Sequence, residues 1–134
     1  KDPIYGEVSL TDFDRTEENK KIVRRFFVDV LQNKEWDQFE KYVSDDLIQH
    51  NQEIAQGGPS FKQYLLENDA SVDFVFKVIG QGNLVVAYSK MWIANQDYAI
   101  MQLFRLEDGK IVEHWDNKEV MPKKSELTNL GKFK

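Results

Sequence analysis

The chain has 134 residues, 41% of them hydrophobic and 31% charged, which fits one soluble globular domain that needs no covalent staple. A net charge of -5 excludes the basic stripe of a nucleic-acid binder, and the absence of cysteine excludes disulfides, thiolate nucleophiles and cysteine-ligated metals. No apolar run approaches the roughly 18 residues of a membrane span.

Residues 1–15, "KDPIYGEVSLTDFDR", are polar and irregular and read as an N-terminal arm. The sequence starts at Lys1 and not Met, so a preceding segment is expected to have been removed; cytoplasm and periplasm both stay open. The main domain is expected over 16–122. Thr16 reads as an N-cap, with Glu17 and Glu18 at the positive end of a helix. Apolar residues at Ile22, Val23, Phe26, Phe27, Val30 and Leu31 give that helix one buried stripe. Trp36, Phe39, Tyr42 and Val43 predict a second, shorter helix, ended by Ser44-Asp45-Asp46. After Leu47 and Ile48 comes "QHNQ", then the breaker "QGGP", whose Pro59 suits the first turn of a third helix carrying Phe61, Tyr64 and Leu65.

Beyond Asp73 the apolar period changes from about 3.6 to 2. "DFVFKVIG", "LVVAYSKMWIA", "YAIMQLFRLE" and "KIVEHWDNKE" predict four strands. The short breaks between them predict hairpins and an antiparallel sheet. Helices followed by strands give an α+β domain: a cone in which a curved antiparallel sheet wraps the N-terminal helices. Residues 123–134 read as a C-terminal tail, with lysines that form a solvated end and not a binding patch.

The chain holds only two histidines, His50 and His114. Alternation places Val112, His114 and Asp116 on one face of the last strand and Ile111, Glu113 and Trp115 on the other. A two-residue turn at Asp108-Gly109 sets Leu103 opposite His114; a three-residue loop sets Gln102 there and Phe104 against Val112. The second register is preferred because it pairs polar with polar. Trp92 and Tyr88, mid-strand, are candidates for the same pocket or for an interface.

The runs "NKKIVRRFFVDVLQNKEWDQFEKYVSDDLIQHNQEIAQG" and "GQGNLVVAYS", and above all "LFRLEDGKIVEHWDNKEVMP", resemble the SnoaL-like branch of the nuclear transport factor 2-like superfamily. The tail "PKKSELTNLGKF" is similar to that of a bacterial subgroup of predicted aldol-condensation enzymes. The resemblance implies a cystatin-like cone, a deep apolar pocket, no cofactor, and a homodimer formed through the outer sheet face. It also implies polyketide cyclase-related chemistry, with a small apolar carbonyl compound as ligand. Matched to the family motif, Asp116 becomes the general base and His114 its partner. His50 and Asn51 are expected from the opposite wall, with Gln102, Phe27 and Phe104 also lining the site. Relatives carry Asp where Gln102 stands. Ketosteroid isomerase has a Tyr near Phe27, its base near Asn51 and a further Asp near Gln102, so its mechanism is not expected here.

Each of these residues also has a simpler role. Asp116 can accept backbone hydrogen bonds, His114 can be a satisfied core histidine, and His50 with Asn51 can fix a turn. Two histidines and one aspartate without i, i+4 spacing do not make a metal site. The rival to an enzyme is therefore a non-catalytic ligand-binding or scaffold domain.

Overall fold

The computed structural model describes residues 10–123 and 127–133. The expected arm therefore falls largely outside the described residues, as do positions 124–126 and 134 of the tail. Helix α1 (Thr16–Arg25) runs on into a wider turn, Phe26–Gln32, where the Asn33 N–H reaches back five residues to the Val28 carbonyl at 2.9 Å. Val23, Phe26, Phe27, Val30 and Leu31 are all buried along it, as the apolar stripe requires. Thr16 is the first helical residue and not the cap. Its hydroxyl donates to the Phe13 carbonyl (2.9 Å) and accepts the Gly82 N–H (2.7 Å), tying the helix to a sheet turn. A single 3-10 turn, Trp36–Gln38, leads into α2 (Phe39–Tyr42), and α3 spans Gly58–Glu67 with Pro59 in its first turn.

The sheet contains β1 (Val43–Gln49), β2 (Ser71–Gln81), β3 (Leu84–Ile93), β4 (Gln96–Glu107) and β5 (Lys110–Val120), in the order β1-β5-β4-β3-β2. Strands β2 to β5 form the expected antiparallel hairpins. β1 is an addition: it pairs parallel to β5, and its Val43 was assigned from sequence to a helix. Its burial pattern follows no clean alternation, which hid it from a period-2 reading.

The last hairpin follows neither anticipated register. Asp108 and Gly109 both take positive φ (49° and 80°), a two-residue turn that pairs Glu107 with Lys110 and Leu106 with Ile111. The ladder then shifts by one residue, so that Arg105 meets Glu113, Phe104 meets His114 and Gln102 meets Asp116. Val112 is the extra residue of this bulge. The bulge turns Ile111 inward, fully buried beside Leu106, instead of leaving it on the outer face with Glu113. Gln102, Phe104, His114 and Asp116 share the inner face despite the changed register, because the shift from the preferred pairing is two residues and preserves parity.

The core lies between the inner sheet face and the helices, centred on Phe26, Phe27, Phe39, Phe61 and Phe104. Phe27 and Phe104 meet edge to face at 5.8 Å. On the outer face, the Phe133 ring of the tail packs on Phe74, Phe76 and Tyr88. No helix among the described residues is long and apolar enough to cross a membrane.

Candidate active site

Parallel pairing of β1 with β5 ends at Gln49 and His114, and the His50 N–H closes it on the His114 carbonyl at 3.0 Å. From Trp115 onward that edge of β5 is met by the loop 50–57 instead of a strand. Here Asn51 arrives at Asp116: its side-chain NH2 donates to both carboxylate oxygens, at 3.0 and 2.9 Å. The Asn51 side-chain oxygen in turn accepts the Glu53 N–H at 2.8 Å, which fixes the amide. Burial pushes the Asp116 carboxyl up, while the Asn51 hydrogen bonds and Lys118 pull the other way without cancelling it.

His114 is completely buried between Phe61 (4.7 Å between ring centroids) and Phe104 (5.2 Å). That apolar sandwich desolvates the imidazolium and pulls the ring's pKa down to about 3. The ring is therefore neutral near pH 7 and has one N–H to give. Its Nδ1 lies 2.8 Å from Gln49 Oε1, an oxygen already fixed by the Asn51 N–H at 3.0 Å, so Nδ1 is the donor. Nε2, 2.9 Å from the Gln102 amide oxygen, then carries a lone pair, and Gln102 must turn its NH2 toward it. His114 Nε2 stands 3.9 Å from Asp116, too far for a hydrogen bond. The histidine thus links Gln49 and Gln102 and carries no positive charge to the carboxylate.

Of the other residues proposed from sequence, Phe27 and Phe104 face the interior as core, and Gln102 and Asn51 border the site. His50 does not reach the inner wall. It stacks on Trp115 on the outer face (4.6 Å, 3° between planes) and meets Glu113 at 2.6 Å, which Arg105 holds from the other side at 2.7 Å. Consecutive residues at the end of a strand point to opposite faces, so Asn51 and His50 cannot both enter the cone. Tyr88 and Trp92 belong to the outward set of β3, where Val85, Ala87, Ser89, Met91 and Ile93 are the buried alternates. Neither shares a wall with the Asp116–Asn51 pair on the inner side.

The deep pocket implied by the resemblance is closed. The inner cavity, bounded by Asn51, Ile54, Phe61, Tyr64, Gln102 and Asp116 among others, measures about 10 Å³, room for about one water. A larger concavity of about 680 Å³ lies on the outer sheet face, floored by Val86, Tyr88, Met101, Leu103 and Trp115. Asp116 and Lys118 border both spaces. The sequence reading missed Lys118, Glu53 and Tyr64. Lys118 was legible as the next inward residue after Asp116. No group of three or more His, Cys, Asp or Glu placed to hold a metal occurs among the described residues.

A model of the SnoaL-like domain family matches residues 23–114, a segment that includes Asn51, Gln102 and His114 and stops two residues short of Asp116. Among curated proteins, none matches the sequence. Solved structures share the fold at low identity. A candidate ketosteroid isomerase from Kribbella flavida superposes with a TM-score of 0.68 at 14% identity, covering 90% of this chain and 98% of its own. An epoxide hydrolase of the LEH-like type from M. tuberculosis gives 0.64 at 19%, covering 78% and 85%. IdmH, a candidate polyketide cyclase from Streptomyces antibioticus, gives 0.60 at 14%, covering 76% and 92%.

Proposed function

The chain belongs to the SnoaL-like domain family, and from that premise we propose that it is a cofactor-independent lyase or isomerase of aldol-condensation or cyclase type, with Asp116 as general base on a small carbonyl compound. The observation that carries the reading is one carboxylate, buried on the inner wall and oriented at both oxygens by Asn51. Burial makes it a stronger base than an exposed aspartate, and orientation fixes where its lone pairs point. In the reaction, an Asp116 oxygen takes a proton from the carbon α to the carbonyl. The C–H electron pair becomes the new C=C bond, and the carbonyl π pair moves to oxygen as an enolate. Reprotonation at another carbon completes an isomerisation. Attack of the enolate carbon on a second carbonyl forms the C–C bond of a cyclisation, and Asp116 returns the proton to the new alkoxide. Tyr64, whose hydroxyl burial keeps protonated, lines the same cavity and is a donor for the enolate oxygen.

The assay needs no known product: exchange of α-hydrogens for deuterium, followed by NMR across small cyclic ketones, enones and aromatic polyketide fragments. A substrate should exchange faster than in buffer, and Asp116→Asn should lower the enzymatic rate about 10²–10⁴-fold. Unchanged exchange in that variant ends the reading.

One observation favours a second reading, a non-catalytic binding or scaffold domain: the inner cavity holds no more than about one water. In that case no compound of the panel exchanges. The outer concavity, with Tyr88, Met101, Leu103 and Trp115 on its floor, supports the homodimer implied by the family, which Met101→Glu should dissociate in sedimentation experiments.

A further inference from the structure

The loop over the inner cavity is held by polar links, among them the Asn51 N–H on Gln49 Oε1 (3.0 Å). Asn51 and Glu53 sit in one turn, closed by the Glu53 N–H on Asn51 Oδ1 (2.8 Å) and the Ile54 N–H on the Asn51 carbonyl (3.1 Å). Asn51 meets Asp116, and the Glu53 carboxylate meets Lys118 Nζ at 2.9 Å. Between them Ile54 inserts into the cavity, 7% exposed. The loop is pinned on both sides: His50 is bonded to the His114 carbonyl, Gln56 Nε2 to the Gln49 carbonyl at 2.7 Å, and the Gly57 N–H to the Leu47 carbonyl at 3.0 Å.

Lys118 follows Asp116 by two residues on the same strand face. Its side chain is only 22% exposed, against 60% for Glu53, and its ammonium lies 4.8 Å from the Tyr98 ring. It is the one cation among the described residues lining either concavity. A cation drawn inward beside a general base is held by a mostly exposed carboxylate. Solvent competes for the Glu53 carboxylate, so another carboxylate can take its place on Lys118.

We propose that Lys118 binds a carboxylate of the substrate, that Glu53 occupies this position while the site is empty, and that the substrate class is a carbonyl compound bearing a carboxylate. The assignment rests on the reading of Asp116 as base. One ligand then reaches both residues at once: its carboxylate takes the place of Glu53 on Lys118, and its acidic C–H meets Asp116, which Asn51 keeps oriented. An uncharged apolar ketone reaches only Asp116.

The test is calorimetric titration of the full chain with 4-oxo-4-phenylbutanoate and with its methyl ester, at low ionic strength. The acid should bind at least tenfold more tightly than the ester. Glu53→Gln should tighten the acid several-fold and leave the ester unchanged, and Lys118→Met should erase the preference. Urea midpoints of the three proteins establish that each is folded. Equal binding of acid and ester, a preference that survives Lys118→Met, or no acid binding to wild type and Glu53→Gln overturns the proposal. Asp116→Asn separates the two ideas. It should keep the acid preference while losing α-exchange; exchange retained in that variant defeats the base assignment alone.

Discussion

Acidification from pH 7 should destabilise this protein through His114 before most carboxylates titrate. In the unfolded chain the imidazole takes a proton near pH 6.5, whereas in the fold, between Phe61 and Phe104, it does so only near pH 3. Between those values the unfolded state holds one more proton, so stability falls as pH falls. The limiting slope is about 1.4 kcal/mol per pH unit, or about 2 kcal/mol between pH 6.5 and 5. Asp116 acts with the opposite sign. Its folded pKa is raised, so the folded state gains its proton first and recovers some stability at lower pH. The His114 slope should therefore be half-developed at pH 6.5 and close to its limit about one unit lower, where the unfolded imidazole is almost fully protonated. Urea unfolding curves collected every half unit from pH 7.5 to 4.5 measure the slope. His114→Gln should remove it. A midpoint constant between pH 6.5 and 5, or an equal slope in His114→Gln, would refute a neutral, desolvated His114.

Three further outcomes follow from the packing. Phe104→Ala removes the ring that contacts Phe26, Phe27 and His114 and should cost about 3–5 kcal/mol in urea unfolding; a loss under 1 kcal/mol would mean that the interior collapses to fill the space. Gly58→Ala places a methyl 2.4 Å from the Ser44 carbonyl oxygen, so it should lower the melting temperature, where an unstrained Gly→Ala change would raise it. Asn51→Ala removes the hydrogen bonds that hold Asp116 down. The carboxyl should then titrate higher still, as followed by its carbon NMR shift against pH, and an unchanged titration would contradict the geometry at β5.

The sequence was most informative where one period governed a whole element. The stripe from Val23 to Leu31 and the alternation of β3 both emerge as read, because a single buried face imposes each pattern. Gln102, His114 and Asp116 could be grouped for the same reason: parity along paired strands survives an error of two residues in register. What could not be read depends on contacts between distant segments. β1 has a strand's geometry because β5 lies beside it, and its own residues, with two aspartates in seven, give little warning. The bulge at Val112 is one extra residue in an otherwise regular run, and it reverses the roles of Ile111 and Val112. His50 and Asn51 are neighbours in sequence, yet one stacks on Trp115 outside and the other reaches Asp116 inside. The filled interior was also beyond reach, since composition does not say whether Phe27, Phe61 and Phe104 line a space or occupy it.

The parallel pairing of β1 with β5 also bears on the order in which the molecule assembles. Strands β2 to β5 are joined by tight turns and can zip from neighbour to neighbour, each step closing only a short loop. The Asn51–Asp116 contact spans 65 positions of chain, and its loop-closure entropy is recovered only once β5 is in place to receive β1. Mutations in the β2–β5 meander should therefore slow refolding, while those in β1 and the loop after it should mainly speed unfolding. On that order the contact between the carboxylate and its asparagine forms late, and Asn51→Ala should leave the refolding rate nearly unchanged while raising the unfolding rate.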